Sequence, residues 1–118
     1  MKVIVYGIRN CDTMKKARDW LEARRIGYVF HDYKTSGIDS PTLENWSTRV
    51  GWEALLNRAG TTFRKLPEVQ RQDLTAQRAI ALMCEQPSMI KRPVLDAGAM
   101  LVVGFQPERY AAIFKPEF

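Results

Sequence analysis

One stretch decides the fold of this chain: VIVYGIRNCDTMKKARDWLEARRIGYVFHDY, residues 3–33. Val3-Ile4-Val5-Tyr6 is a short apolar, β-branched run closed by Gly7, which reads as a buried strand. Gly7-Ile8-Arg9-Asn10 carries turn chemistry. From Cys11 the period changes. Met14, Ala17 and Leu21 recur at helical spacing, while Lys15, Lys16, Asp19 and Glu22 fall off that stripe. Asn10 reads as the N-cap of this helix and Gly27 as its C-cap. Tyr28-Val29-Phe30-His31-Asp32-Tyr33 reads as a second strand. Strand, helix and strand in so short a span make one βαβ unit, which predicts parallel strands.

Working outward, residues 35–39 read as linker. Ser40-Pro41 reads as an N-cap followed by proline in the first turn, opening a helix with Leu43, Trp46 and Val50 on one face and a stop at Gly51. A short helix is expected over residues 52–56, broken by Ala59-Gly60-Thr61-Thr62. Another is expected from about residue 73 to 86, with either Leu74, Ala81 and Cys84 or Ile80 and Met83 turned inward. Val94-Leu95 and Met100-Leu101-Val102-Val103 flank Asp96-Ala97-Gly98-Ala99 as a β-hairpin, and residues 107–114 close the chain with a helix.

The composition bounds the function. The 118 residues suit one domain, 46% apolar and 26% charged residues are globular values, and the formal net charge is +5. No apolar run reaches the roughly 20 residues of a membrane span, and the N-terminus lacks the pattern of a signal peptide, so a cytoplasmic protein is expected. The cations are spread along the chain without a block of like charge, which argues against nucleic acid and for a pocket that accepts anions. Two cysteines exclude a disulfide-rich scaffold, and with one histidine no pair stands at metal-ligand spacing; no metal is expected.

Cys11 enters a helix from a strand loop. The first turn of a helix presents unpaired N–H groups and a partial positive charge, which favour a thiolate. Lys15, one turn on, and Arg9 add positive charge; Asp12 opposes them. Cys11 is therefore the candidate nucleophile. Cys84 lies late in an apolar helix, where a thiolate is disfavoured, and reads as core. In Ile90-Lys91-Arg92-Pro93-Val94 the proline precedes a strand, where its missing N–H is tolerated. The pattern leaves two readings of Arg92 open: a surface cation, or a guanidinium offered to an anion near Cys11. It sets the Arg92-Pro93 bond trans by default.

Four segments carry a resemblance. They are Val3-Ile4-Val5-Tyr6-Gly7 with Asn10-Cys11-Asp12-Thr13, Leu55-Leu56-Asn57-Arg58-Ala59-Gly60-Thr61-Thr62-Phe63-Arg64-Lys65-Leu66, Ile90-Lys91-Arg92-Pro93-Val94, and Gly104-Phe105 with Gln106-Pro107-Glu108. Together they resemble the arsenate-reductase-related (ArsC/Spx/YffB) branch of the thioredoxin superfamily, and within it the YffB-type members most. The resemblance implies an α/β, thioredoxin-like fold: a central mixed β-sheet flanked by helices, in one domain with a helical insertion over about residues 40–86. It also implies that Pro93 is a cis proline facing Cys11 and that Arg92 contacts an anion or glutathione. Two departures stand out. Spx-type regulators and thioredoxins carry Cys-x-x-Cys, where this chain has Met14. Glutaredoxin-coupled arsenate reductases use three arginines, of which Arg92 matches; Asn57, beside Arg58, and Met100 stand at the other two places.

A lone thiolate still performs exchange: it attacks a disulfide sulfur, and an external thiol releases the mixed disulfide. The leading expectation is a glutathione-dependent monothiol reductase acting on an oxidised protein or small molecule. Cys11 is catalytic, and Arg92, Pro93, Asn10, Lys15 and Arg58 form the binding set. Glutathione, or another small thiol, is the co-substrate, and no bound cofactor is expected. The alternatives are reduction of arsenate or another oxyanion, and a non-enzymatic Spx-like regulator that binds a protein partner such as RNA polymerase.

Overall fold

The computed structural model describes residues 2–115. In chain order the elements are β1 (Ile4–Gly7), α1 (Asp12–Ala23), β2 (Val29–Asp32), α2 (Tyr33–Ser36), α3 (Ser40–Val50), α4 (Trp52–Leu55), α5 (Thr61–Arg64), α6 (Glu68–Arg71), α7 (Ala76–Glu85), a 3-10 turn (Pro87–Met89), β3 (Val94–Asp96), β4 (Leu101–Val103) and α8 (Pro107–Ile113). They group into two compact units. One joins the residues up to Asp32 with those from Arg92 onward; the other is Tyr33–Lys91.

The first unit holds the whole sheet, ordered β2-β1-β3-β4. β1 and β2 are parallel, as the βαβ reading requires, with Ile4 opposite Val29 and Gly7 opposite Asp32. β3 runs antiparallel to β1, and β4 antiparallel to β3, which makes the sheet mixed. The apolar stripe of α1 does what its spacing predicts. Met14, Ala17 and Leu21 are fully buried with Val3, Val5, Leu95 and Val102. Burying a side chain of the size of Leu21 contributes about 2 kcal/mol. Tyr110 of α8 joins this core, edge-on to Trp20 at 5.6 Å and to Phe105 at 5.2 Å.

The close of α1 differs from expectation. Ile26 N–H donates to Leu21 C=O and Arg25 N–H to Glu22 C=O, the paired bonds of a Schellman motif. Its left-handed residue is Arg25, with φ 56°, rather than Gly27. The contact of Ile26 with the cluster that contains Leu21 fixes the stop two residues early.

The second unit is helical. Asp39, not Ser40, caps α3: its Oδ1 accepts from the Thr42 N–H at 2.9 Å. Leu43 and Trp46 are buried, and the helix ends at Gly51, whose φ of 86° suits glycine. In α7 the inward set is Ala79, Ile80 and Met83, while Cys84 is half-buried and Ala81 exposed. The strand expected to reach Tyr33 stops at Asp32, α2 runs from Tyr33 into the span expected to be linker, and α5 begins inside the expected break at Ala59–Thr62. α2, α5 and α6 are four residues each, one turn of pattern, too little for periodicity to reveal. Among the described residues no helix is long and apolar enough to cross a membrane.

Candidate active site

The strand register builds the site. Val94 of β3 stands opposite Tyr6 of β1. Arg92 and Pro93 immediately precede β3, at the end of the sheet where Gly7 closes β1 and the loop leads into Cys11. The Arg92-Pro93 bond is cis, the geometry that the family resemblance implied and that the bare pattern did not. The Pro93 carbonyl accepts from the Gly104 N–H at 2.7 Å, which ties this corner to the end of β4.

Helix α1 begins one residue later than Asn10 would set it. Cys11 is the N-cap residue, with φ −148° and ψ 127°, and its carbonyl accepts the first helical bond from Lys15 N–H at 3.0 Å. The neutral thiol makes no capping hydrogen bond of ordinary geometry. The N–H groups of Met14 and Thr13 are nonetheless directed at the sulfur, as they would be at the oxygen of a capping serine. Partial burial works against the anion. The Met14 N–H, the Arg92 side chain as donor, the Thr13 N–H and the Arg92 charge together outweigh it and hold the Cys11 thiol below its ordinary value.

Cys11 opens on a cavity of about 540 Å³. Its near wall is Arg9, Asn10 and Asp12; its far wall runs down α1 through Lys15, Arg18 and Glu22. Arg9 reaches back to the buried Asp32 at 3.6 Å. The Lys15 ammonium is engaged by Asp19 at 2.6 Å, and it is this carboxylate that raises the lysine. The share in the thiolate that the sequence reading gave to Lys15 therefore belongs to Arg92. Lys15 stays on the cavity wall, with its charge spent on its own helix.

Of the sequence-derived set, Cys11, Asn10, Lys15, Arg92 and Pro93 all lie in the first unit, and Arg58 in the second. There the Arg58 guanidinium lies 5.6 Å from the centre of the Trp52 ring. Met100 is an exposed residue of the β3–β4 loop. Cys84 has the opposite character to Cys11: burial first, then the charges of Asp39 and Glu44, push its thiol up. Sequence reasoning missed Arg18. Its signal was available, since Arg18 stands seven residues after Cys11 and three after Lys15, along one helix face. Among the described residues no cluster of three or more His, Cys, Asp or Glu is placed to hold a metal.

The solved structure of the YFFB protein superposes with a TM-score of 0.93 at 56% identity, covering 95% of this chain and 98% of that one. An uncharacterized protein of Haemophilus influenzae is 38% identical over 95% of this chain and 98% of its own length. The global transcriptional regulator Spx 1 of Lactococcus lactis is 26% identical over 92% of this chain and 86% of its own length. The fold is thioredoxin-like. A family profile matches residues 6–113, from the end of β1 to the end of α8, and with it the chain is a member of the ArsC family.

Proposed function

We propose that this protein is a glutathione-dependent monothiol reductase of the cytoplasm, working through Cys11. The observation that carries the reading is the environment of that sulfur, where two helix N–H groups and the Arg92 guanidinium favour the thiolate. In the cycle, the Cys11 thiolate attacks one sulfur of a substrate disulfide. That S–S bond breaks, a mixed disulfide with Cys11 forms, and the second sulfur leaves as a thiolate that takes a proton from water. A glutathione thiolate then attacks the substrate sulfur of the mixed disulfide, which breaks its S–S bond, releases the Cys11 thiolate and leaves a substrate–glutathione disulfide. A second glutathione thiolate attacks the glutathione sulfur of that disulfide, releasing the reduced substrate and forming glutathione disulfide. Met14 occupies the position of a local resolving thiol and is fully buried, which favours an external thiol. Arg92 and Pro93 shape the groove, and Asn10 and Lys15 border it.

Two measurements test this. Alkylation of Cys11, resolved by peptide mass against pH with Cys84 as internal control, should reach half its plateau below the ordinary thiol value of about 8.5. Cys11→Ser should abolish glutathione-coupled reduction of a mixed disulfide. A Cys11 that titrates normally, or turnover retained in the serine variant, would sink the proposal.

The Lactococcus relative supports a second reading, a regulator that docks on a protein partner such as RNA polymerase. Under that reading Cys11→Ser keeps partner binding. Reduction of arsenate, the remaining alternative, requires Arg92 and predicts that Arg92→Ala ends it.

A further inference from the structure

The cavity beside Cys11 has a second end. Arg18 lines it and is held from two sides: its Nε donates to the Tyr28 hydroxyl at 3.1 Å, and its guanidinium carbon lies 4.8 Å from the centre of the Phe30 ring. Among the described residues its terminal nitrogens make no hydrogen bond, so a pre-positioned bidentate donor faces the cavity. Glu22, one turn further along α1, lines the same wall. The pair Lys15–Asp19 is neutral in itself, which leaves one positive and one negative group on this wall. A net-neutral wall with a fixed fork and a carboxylate side by side suits a zwitterion better than a bare anion. Seven helical residues separate Cys11 from Arg18, roughly 10 Å along the axis. The arm of glutathione that runs from its central cysteine sulfur to the γ-glutamyl α-carboxylate spans about the same when extended. A cavity of about 540 Å³ also falls in the range of small-ligand sites.

We propose that Arg18 and Glu22 form the subsite for the amino-acid head of the thiol co-substrate. Arg18 takes its α-carboxylate and Glu22 its α-ammonium, with the thiol end at Cys11. This rests on the monothiol reading above and adds to it a rule of selection: thiols that bear a zwitterionic head about one γ-glutamyl residue from the sulfur are preferred over neutral ones.

The test separates the subsite from the cycle. Oxidised glutathione and 2-hydroxyethyl disulfide are each mixed with the reduced protein, and the single-turnover rate of mixed-disulfide formation at Cys11 is followed by mass. In that step the thiolate bonds to one sulfur, the S–S bond breaks, and the other sulfur departs as a thiolate protonated by water. The wild-type protein should favour oxidised glutathione by more than about tenfold over the neutral disulfide, once the rates are corrected for intrinsic reactivity. Arg18→Gln should remove that preference and leave the neutral rate unchanged, Arg18→Lys should restore part of it, and Glu22→Gln should weaken it. Equal loss with both disulfides would show a purely structural arginine and overturn the subsite, as would a preference that survives Arg18→Gln. Steady-state turnover with glutathione is read separately. Preference without turnover refutes the reductase and keeps the subsite; turnover with no effect of Arg18→Gln does the reverse.

Discussion

Removing the Arg92 guanidinium takes two things from Cys11 at once, a hydrogen bond to the sulfur and a positive charge beside it. Arg92→Ala should therefore slow alkylation of Cys11 at neutral pH on the order of tenfold, the worth of one charge-assisted hydrogen bond. The pH profile should move toward that of an ordinary thiol; an unmoved profile would assign the thiolate to the helix N–H groups alone. The same shift has a sign for stability. Because the Cys11 thiol titrates lower in the fold than in the unfolded chain, its contribution is present above the unfolded value and lost as pH falls through the folded one. Cys84, raised by burial and by Asp39 and Glu44, acts the other way: its contribution holds below the unfolded value and fades as pH rises through the folded one. At this scale the sequence spoke clearly where chemistry follows local position. A cysteine at a strand–loop–helix junction announces its N–H donors. It could not rank the cations, because the pairing of Lys15 with Asp19 and the approach of Arg92 depend on rotamers and on strand register.

At the scale of elements, the site depends on how closely α1 approaches the end of β1. A Cβ on Gly7 would overlap the thioether of Met14, which is fully buried and cannot swing aside into solvent. Gly7→Ala should cost about 1–3 kcal/mol by overpacking, measurable by denaturant unfolding. It should also raise the Cys11 thiol, since the Met14 N–H is one of the groups that hold it down. Met14→Ala in the same background should recover part of the loss. The double variant should then be more stable than the sum of the single effects predicts, as expected for neighbours, and simple additivity would place the strain elsewhere. The α1 stripe was legible because twelve residues give three turns of pattern. Its close was misplaced because a Schellman motif follows the packing of Ile26 and tolerates Arg25 in the left-handed region, where glycine would be the easier choice. The four-residue helices α2, α5 and α6 were invisible for the converse reason.

At the scale of the whole molecule, the order of elements was readable, since a βαβ start and a hairpin near the end leave few ways to complete one mixed sheet. The division at Asp32–Tyr33 and Lys91–Arg92 was not, because no linker marks it: β2 passes directly into α2. The full chain also decides how a Cys11 mixed disulfide is resolved. It holds two cysteines, so Cys84 is the sole internal rival to an external thiol. Attack requires a thiolate, and Cys84 is pushed toward the protonated form by burial and by two carboxylates of its own unit. Cys84→Ser should consequently leave glutathione-coupled turnover within about twofold of the parent protein, with the release step still first order in glutathione. The variant is read by stopped-flow release of a Cys11 mixed disulfide across glutathione concentrations. A rate independent of glutathione in the parent chain, which becomes dependent on it in Cys84→Ser, would make Cys84 the resolving thiol and overturn the monothiol cycle. A rate proportional to glutathione in both would show that Met14, buried where a second cysteine stands in dithiol relatives, leaves release to a thiol from outside the chain.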